Sequence, residues 1–334
     1  MEGFVFSSVT FGRTVFEPAL FCAPLSGLTH CSFRRLSAEF GGCGAYFTEM
    51  LAGRQILTED LHRSPYLRRS PAEKRVIYQL MVQETDQLER IVGRLSEIRP
   101  DGLDINLACH APAIRYVHAG SSLFNNTAGL THVLKTVRRS WSGLFTVKIR
   151  LGNDTPGYEE RFAERLRLFE ECGVDALTLH PRFFKDKHSR SARHDRFAWA
   201  VAMTRLPIIA NGDILGADTI RGNPAAFESV KGIMVGRMAV ARPWLFAAWD
   251  HHVSVDLRET WLRLHDYIAT DFTATDALKR IKLFTKYFAR NFQFGHTFNT
   301  AVNGAHTLEA VRERACLFLD NAPTLVAEPW LMGL

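Results

Sequence analysis

The sequence predicts an α/β protein: a (β/α)8 TIM barrel followed by a small C-terminal helical domain. Three observations predict it. Eight short aliphatic or β-branched runs recur up to about residue 245, their starts 26, 31, 27, 42, 31, 31 and 25 residues apart. Amphipathic helical patterns fill the intervals between them. After Trp249 the strand-like runs stop and helical patterns dominate. Strands alternating with helices at this spacing build parallel βαβ units, and eight such units fit a closed barrel. A doubly wound open sheet would carry a glycine-rich turn after its first strand, and Ala23-Pro24-Leu25-Ser26-Gly27 is not GxGxxG.

The runs, in order, are Ala19–Ala23, Ala45–Thr48, Val76–Leu80, Leu103–Asn106, Phe145–Ile149, Ala176–Leu179, Pro207–Ala210 and Gly232–Val235. Each is short and bounded by turn residues. Between the third and fourth, Asp86–Ile98 places Leu88, Ile91, Val92, Leu95 and Ile98 on one helical face. Tyr158–Cys172 does the same with Phe162, Leu166 and Phe169, and Gly173 stops it. Ala128–Arg138 and Ala217–Val230 complete the predicted barrel helices. Leu257–Thr273, Ala274–Phe292 and Thr307–Leu319 read as the helical appendage. The expected division is 1–248 for the barrel and 249–334 for the helical domain.

Composition narrows the function classes. The 334 residues are 46% hydrophobic and 23% charged, ordinary for a globular chain with a substantial core. No run of 18 apolar residues exists, and Met1–Phe6 lacks the basic start of a signal peptide. A monomeric, cytoplasmic protein without membrane contact is the expectation. The net charge of +6 permits a phosphate or nucleic-acid partner without requiring one. Cys22, Cys31, Cys43, Cys109, Cys172 and Cys316 form no CxxC pair, so neither a disulfide framework nor a zinc site is indicated. HExxH and GxSxG are absent as well.

In a barrel of this type the chemistry gathers at the C-terminal ends of the strands. Those ends deliver Pro24-Leu25-Ser26, Glu49, Gln79, Asn106 with Cys109, Lys148, His180, Asn211-Gly212-Asp213 and Gly236-Arg237. The turns after strands seven and eight commonly hold phosphate through backbone N–H groups, and Arg237 adds charge. A lysine facing the barrel mouth needs an anionic partner, or else snorkels at the rim. His180 suits a donor to a cofactor, or a satisfied core histidine.

Two basic segments stand out. Lys279, Lys282, Lys286 and Arg290 fall within about 80° on a helix, opposite Ile281, Phe284, Phe288 and Phe292. No acidic residue lies between Ala277 and Thr307. Arg182, Lys185, Lys187, Arg190, Arg193 and Arg196, with His188 and His194, form a second basic segment at the predicted barrel mouth. Both are candidate RNA contacts.

Taken together, these motifs resemble the dihydrouridine synthases from about residue 18 to 320. The resemblance is carried by Ala23–Thr29 with Phe33-Arg34-Arg35, Thr48-Glu49-Met50, Asp104–Cys109 with Ala119-Gly120-Ser121, and Val147–Arg150. Cys172–His180, Ile209–Ile214, and Val235-Gly236-Arg237 with Arg242-Pro243-Trp244 complete the set. It implies flavin mononucleotide (FMN) in the barrel mouth, NADPH as reductant, and a uridine of RNA, foremost tRNA, as substrate. It implies that Pro24, Leu25 and Ser26 line the flavin, that Gln79 meets the ring edge and that Lys148 approaches the ring. His180, Asn211, Gly212, Asp213, Gly236 and Arg237 would surround the ribityl phosphate. Asn106 would touch flavin or flipped base, and Cys109 would donate a proton to C5 after hydride reaches C6. A thiol is mostly protonated at neutral pH and suits that task. The base must leave its stack to react, which costs a few kcal/mol and calls for a positive surface to hold the RNA.

The loop departs from the family pattern. Glycine usually precedes the cysteine and proline follows it; here Ala108 and His110 stand there, then Ala111-Pro112. Pro181 also replaces a smaller residue. A protonated His110 would lower the thiol pKa, whereas a neutral one could relay protons. Two other readings stay open on residues alone: a small-molecule flavin oxidoreductase on the same barrel, and a non-catalytic RNA-binding flavoprotein.

Overall fold

The computed structural model describes residues 7–187 and 189–331; Met1–Phe6 and His188 of the readings above lie outside them. A hairpin of β1 (Val9–Phe11) and β2 (Thr14–Phe16) opens the described chain. The barrel strands follow: β3 (Leu20–Cys22), β4 (Ala45–Phe47), β6 (Val76–Met81), β7 (Gly102–Asn106), β8 (Leu144–Arg150), β9 (Ala176–His180), β10 (Ile208–Asn211) and β11 (Gly232–Val235). The two-residue β5 (Leu51–Ala52) extends the edge of β6. Every barrel pairing is parallel, in the order β3-β4-β6-β7-β8-β9-β10-β11, and β11 pairs back to β3. All eight expected strands are present, within two residues at each end.

Strand alternation sorts the side chains. Phe21, Ala45, Phe47, Ile77, Leu144, Ala176, Ile209 and Met234 pack together with Phe11 and Phe16 of the hairpin. The rings of Phe16 and Phe21 meet at 5.2 Å and those of Phe11 and Phe16 at 5.6 Å. This apolar stack fills the base of the barrel. Two residues further along the same inward columns stand Gln79, Asp104, Thr146, Thr178 and Asn211; two further again, Asn106, Lys148 and His180. The alternate residues, such as Leu20, Cys22, Leu103, Ile105, Val147 and Leu177, join the larger core under the helices.

Helices Cys31–Phe40, Leu88–Ser96, Thr127–Ser140 and Tyr158–Glu171 cover the barrel. The helix expected over Ala217–Val230 is two short pieces, Ala217–Arg221 and Pro224–Phe227. Proline lacks the N–H and clashes with the preceding turn, so the first piece ends before Pro224. The C-terminal helices are Leu257–Asp271, Ala274–Phe288, Gly295–Asn303 and Leu308–Leu319. Asp256, Thr273 and Thr307 cap three of them by accepting backbone N–H bonds. The helix expected to reach Phe292 turns into a 3-10 turn at Ala289–Asn291. Gly295–Asn303 was not foreseen: its His, Thr and Asn residues are weak helix formers, and it forms by burying Phe298 against Phe318, ring on ring at 4.8 Å.

The helices lie against the barrel along two seams. The Arg35 guanidinium sits 3.8 Å over the Tyr267 ring, and Ser32 donates to Asp271 at 2.7 Å. Asn291 donates to the Ala241 carbonyl at 2.7 Å and accepts from Arg242 at 2.9 Å.

Candidate active site

A cavity opens at the C-terminal ends of the strands. Ala23, Pro24, Leu25, Met50, Met234 and Met238 give it apolar walls; Asn106, Cys109, Lys148, Arg150, His180 and Arg237 give it polar ones. Asn211, Gly212, Asp213, Gly236 and Tyr287 also line it. Strand register brings these groups together: Asn106 stands beside Lys148, Arg150 beside His180, and Asn211 beside Met234.

The loop bearing Cys109 is held from both sides. Asn106 Oδ1 accepts from the Cys109 N–H at 2.9 Å and from Ala108 at 3.1 Å. The Cys109 carbonyl accepts from the Ser121 N–H at 2.9 Å. That approach requires Gly120, because a Cβ there would sit 2.5 Å from the Cys109 oxygen. His110 shares a 2.8 Å hydrogen bond with Ser121 and lies flat on Phe184, centroids 5.5 Å apart. Burial, with Arg115 and Arg150 nearby, lowers its pKa. It is therefore neutral at pH 7, the state compatible with relaying a proton.

Behind this loop lies a buried polar layer that strand alternation puts in plain view. Asp104 accepts from the Thr146 hydroxyl at 2.6 Å and from Gln79 at 2.7 Å; Gln79 in turn accepts from Asn106 at 2.8 Å. Gln79, expected at a flavin edge, is thus placed behind Asn106 and off the cavity wall, with both amide ends committed. Burial raises Asp104 from 3.8 to about 6. Burial and the Arg150 charge lower Lys148 from 10.5 to about 8, while the Asp104 and Cys109 charges oppose the fall.

Across the cavity, Asp213 organises the far wall. It accepts from Arg182 at 2.6 Å, Arg237 at 2.8 Å and the Ala192 N–H at 2.7 Å. Those bonds hold its carboxyl below the usual range although burial opposes them. Arg182, expected on an RNA surface, is fully buried. It spans Asp213, the Arg190 carbonyl and His180 Nε2, the last at 2.6 Å. A guanidinium only donates, so Nε2 accepts and the His180 proton resides on Nδ1. A run of basic residues looks like surface in a sequence; here three acceptors pull its first member inside. Arg190 and Arg193 stay nearer the surface, both paired with Asp186.

Ser26 is exposed and lines a neighbouring hollow instead of this cavity. Lys279, Lys286 and Arg290 are exposed and Lys282 is half-buried, donating to the Asn303 carbonyl at 2.9 Å. Arg290 belongs to the 3-10 turn, and Lys279 is paired with Asp276 at 3.4 Å. Ile281, Phe284, Phe288 and Phe292 are buried as expected.

The site suits a ligand with a phosphate and a flat ring. Gly212 has φ +112°, and a Cβ there would press within 2.6 Å of the His180 ring, so only glycine lets this turn close over the strand end. A Cβ on Gly236 would make ordinary contacts, 3.5 Å from Ala23 and 3.7 Å from Leu25, at the cavity wall beside Arg237.

A parallel barrel with a cationic pocket after its last two strands, and a lysine beside a loop cysteine, defines the class of barrel oxidoreductases. The profile of the dihydrouridine synthase (Dus) family matches residues 21–314. The chain belongs to this family: it is a flavin-dependent enzyme that reduces uridine to dihydrouridine. It is 26% identical over 320 residues to the tRNA-dihydrouridine synthase B of Proteus vulgaris, covering 90% of this chain and 96% of that one. To the tRNA-dihydrouridine synthase B of Escherichia coli K12 it is 27% identical over 319 residues, covering 90% and 97%. Among solved structures, the fold is shared with an old yellow enzyme homologue from Zymomonas mobilis (TM-score 0.52, 13% identity, 77% of this chain and 96% of that one). It is also shared with a histamine dehydrogenase from Rhizobium sp. 4-9 (TM-score 0.57, 12% identity, 84% and 51%). No helix of the described residues is long and apolar enough to cross a membrane.

Proposed function

We propose that this chain reduces a uridine of tRNA to 5,6-dihydrouridine, with FMN as its flavin and NADPH as the reductant. The observation that carries this reading is convergence: Asn106, Cys109 and Lys148 share one cavity with the Asn211-Gly212 and Gly236-Arg237 turns. The turns and Arg237 would hold the FMN phosphate, and Ala23, Pro24, Leu25 and the methionines would flank its ring. When bound, reduced flavin supplies a hydride for C6. Cys109 gives the proton at C5, with neutral His110 and Ser121 beside its loop available to return one. Lys148 offers a positive charge to electron-rich rings. Asn106 fixes the cysteine loop and faces the cavity. Asp213 holds Arg182 and Arg237 in place and itself repels a phosphate, so its role is to position those cations. Lys279, Lys282, Lys286 and Arg290, together with Arg190 and Arg193, would hold the RNA backbone. The barrel, 1–248, and the helical part, 249–334, act as catalytic and RNA-binding halves of a cytoplasmic monomer.

Mass spectrometry of tRNA from a deletion strain tests this reading. One uridine should lose its two added hydrogens and regain them when the gene is restored. An unchanged dihydrouridine content at every position would refute it.

A further inference from the structure

Met50 lines the catalytic cavity and also a second hollow, on the seam between barrel and C-terminal helices. Ser26, Gly27, Glu49, Gln55, Tyr66 and Arg280 contribute to its walls. Two of these side chains carry a buried polar atom that has no hydrogen-bond partner among the described residues: Oε1 of Glu49 and Nε of Arg280. Glu49 is only 6% exposed, and its other oxygen accepts the Gly27 N–H at 2.7 Å. Arg280 lies 4.0 Å over the Phe272 ring and donates to the Tyr66 hydroxyl at 2.7 Å. The two groups influence each other's field, yet form no ion pair among the described residues. Burying a polar atom unpartnered costs about 1–3 kcal/mol, and more when it is charged. Two such atoms of opposite sign in one hollow therefore call for a ligand with an N–H beside a carbonyl oxygen.

A nucleobase edge has that pattern, and guanine matches it best: O6 accepts, while N1–H and N2–H donate on the same edge. Resting on the reading that RNA is the substrate, we propose that this hollow is a base-recognition subsite for a guanine near the uridine being reduced. Glu49 takes the guanine N–H groups and Arg280 donates to O6. The shared wall at Met50 places the subsite next to the reaction cavity. Arg280 also lies on the helix that presents Lys279, Lys282 and Lys286, so backbone and base contacts would come from one element. Burial raises the Glu49 carboxyl, and the N–H groups of a bound base would stabilise its ionised form.

The test uses flavin-loaded wild type, Glu49→Gln and Arg280→Lys, with substrate RNAs in which guanines near the target uridine are changed to adenine one at a time. Adenine inverts the edge, setting an acceptor against the carboxylate and a donor against the guanidinium. One position should cost the wild type roughly tenfold or more in kcat/KM, within the range for a good side-chain–base pair. Glu49→Gln keeps an acceptor for Gly27 and gains an N–H for adenine. It should lose about tenfold on the guanine RNA and recover most of that on the adenine RNA at the same position. Arg280→Lys should lose a similar factor on guanine RNA with no such recovery. Equal losses in wild type and Glu49→Gln at every position would overturn the subsite, leaving a hollow filled by water. So would a Glu49→Gln protein that has lost its flavin. A wild type that makes no dihydrouridine in any RNA would instead overturn the substrate reading beneath it.

Discussion

Replacing Asp104 by Asn should make the protein more stable and less active at the same pH. Asp104 sits in the barrel interior, its oxygens accepting from Thr146 and Gln79. Burial lifts its pKa from 3.8 to about 6. Between those values the folded chain holds a proton that the unfolded chain has released. The group therefore favours folding at low pH, and that contribution is lost as pH rises through about 6. The whole gap corresponds to about 3 kcal/mol, of which about 1–2 kcal/mol falls between pH 5 and pH 7.5. Asn keeps the shape: its oxygen still faces Gln79, and the Thr146 hydroxyl reverses to accept its amide. The variant should match wild type only below about pH 4, and its lead should grow by about 1–2 kcal/mol between pH 5 and pH 7.5. Activity should move the other way. The Asp104 charge helps keep Lys148 protonated, and Lys148 already lies at about 8. Without that charge Lys148 falls further, so the alkaline limb of the rate profile shifts to lower pH. Urea unfolding at the two pH values, with a kcat/KM profile from pH 6 to 9, measures both effects. The same pH slope of stability in both proteins would refute the buried-acid reasoning, and an unshifted alkaline limb would remove Asp104 from any influence on Lys148.

Three further perturbations address other parts of the site. Cys109→Ala should leave flavin reduction by NADPH intact and slow dihydrouridine formation by about 10²–10⁴-fold in single-turnover assays; full turnover would assign the proton to another group, His110 first. Gly212→Ala forces a side chain into φ +112° against the His180 ring, a strain of about 1–3 kcal/mol, and should release flavin during gel filtration with a lowered Tm; a fully yellow variant would contradict the tight turn. Changing Lys282, Lys286 and Arg290 together to Gln should flatten the slope of log K against log salt by about 2–3 in RNA titrations, and superimposable slopes would move the RNA to the Arg190 and Arg193 side.

Much of this molecule is legible in its sequence because barrel strands are short apolar runs at regular intervals, and their polar ends mark the mouth. What the sequence hides is direction and depth. Gln79 and Asn106 both read as strand-end polar groups, but β6 runs on to Met81 and Gln79 stands a layer below Asn106, a difference that follows from counting by twos from the apolar base. Asp104 could have been found that way, two residues before Asn106, since a carboxylate on an inward column must meet partners. Arg182 could not: in the sequence it looks like Arg190, and the acceptors that bury it, among them His180, the Arg190 carbonyl and Asp213, gather around it only in the fold. Glu49 and Arg280 are likewise brought together by packing between a strand end and a helix more than two hundred residues later.

The phenylalanine rings at the base of the barrel also bear on the order of events. With Phe11, Phe16, Phe21 and Phe47 buried there, the floor is sealed and the reaction chamber is a dead end. On the proposed reading, the nicotinamide donor and the uridine would then use the same doorway, one after the other. The first has to leave before the second enters, and the reducing equivalents wait inside in the meantime. Such a chamber imposes double-displacement kinetics: reciprocal plots against RNA at several NADPH concentrations should run parallel, and excess NADPH should compete with RNA instead of helping it.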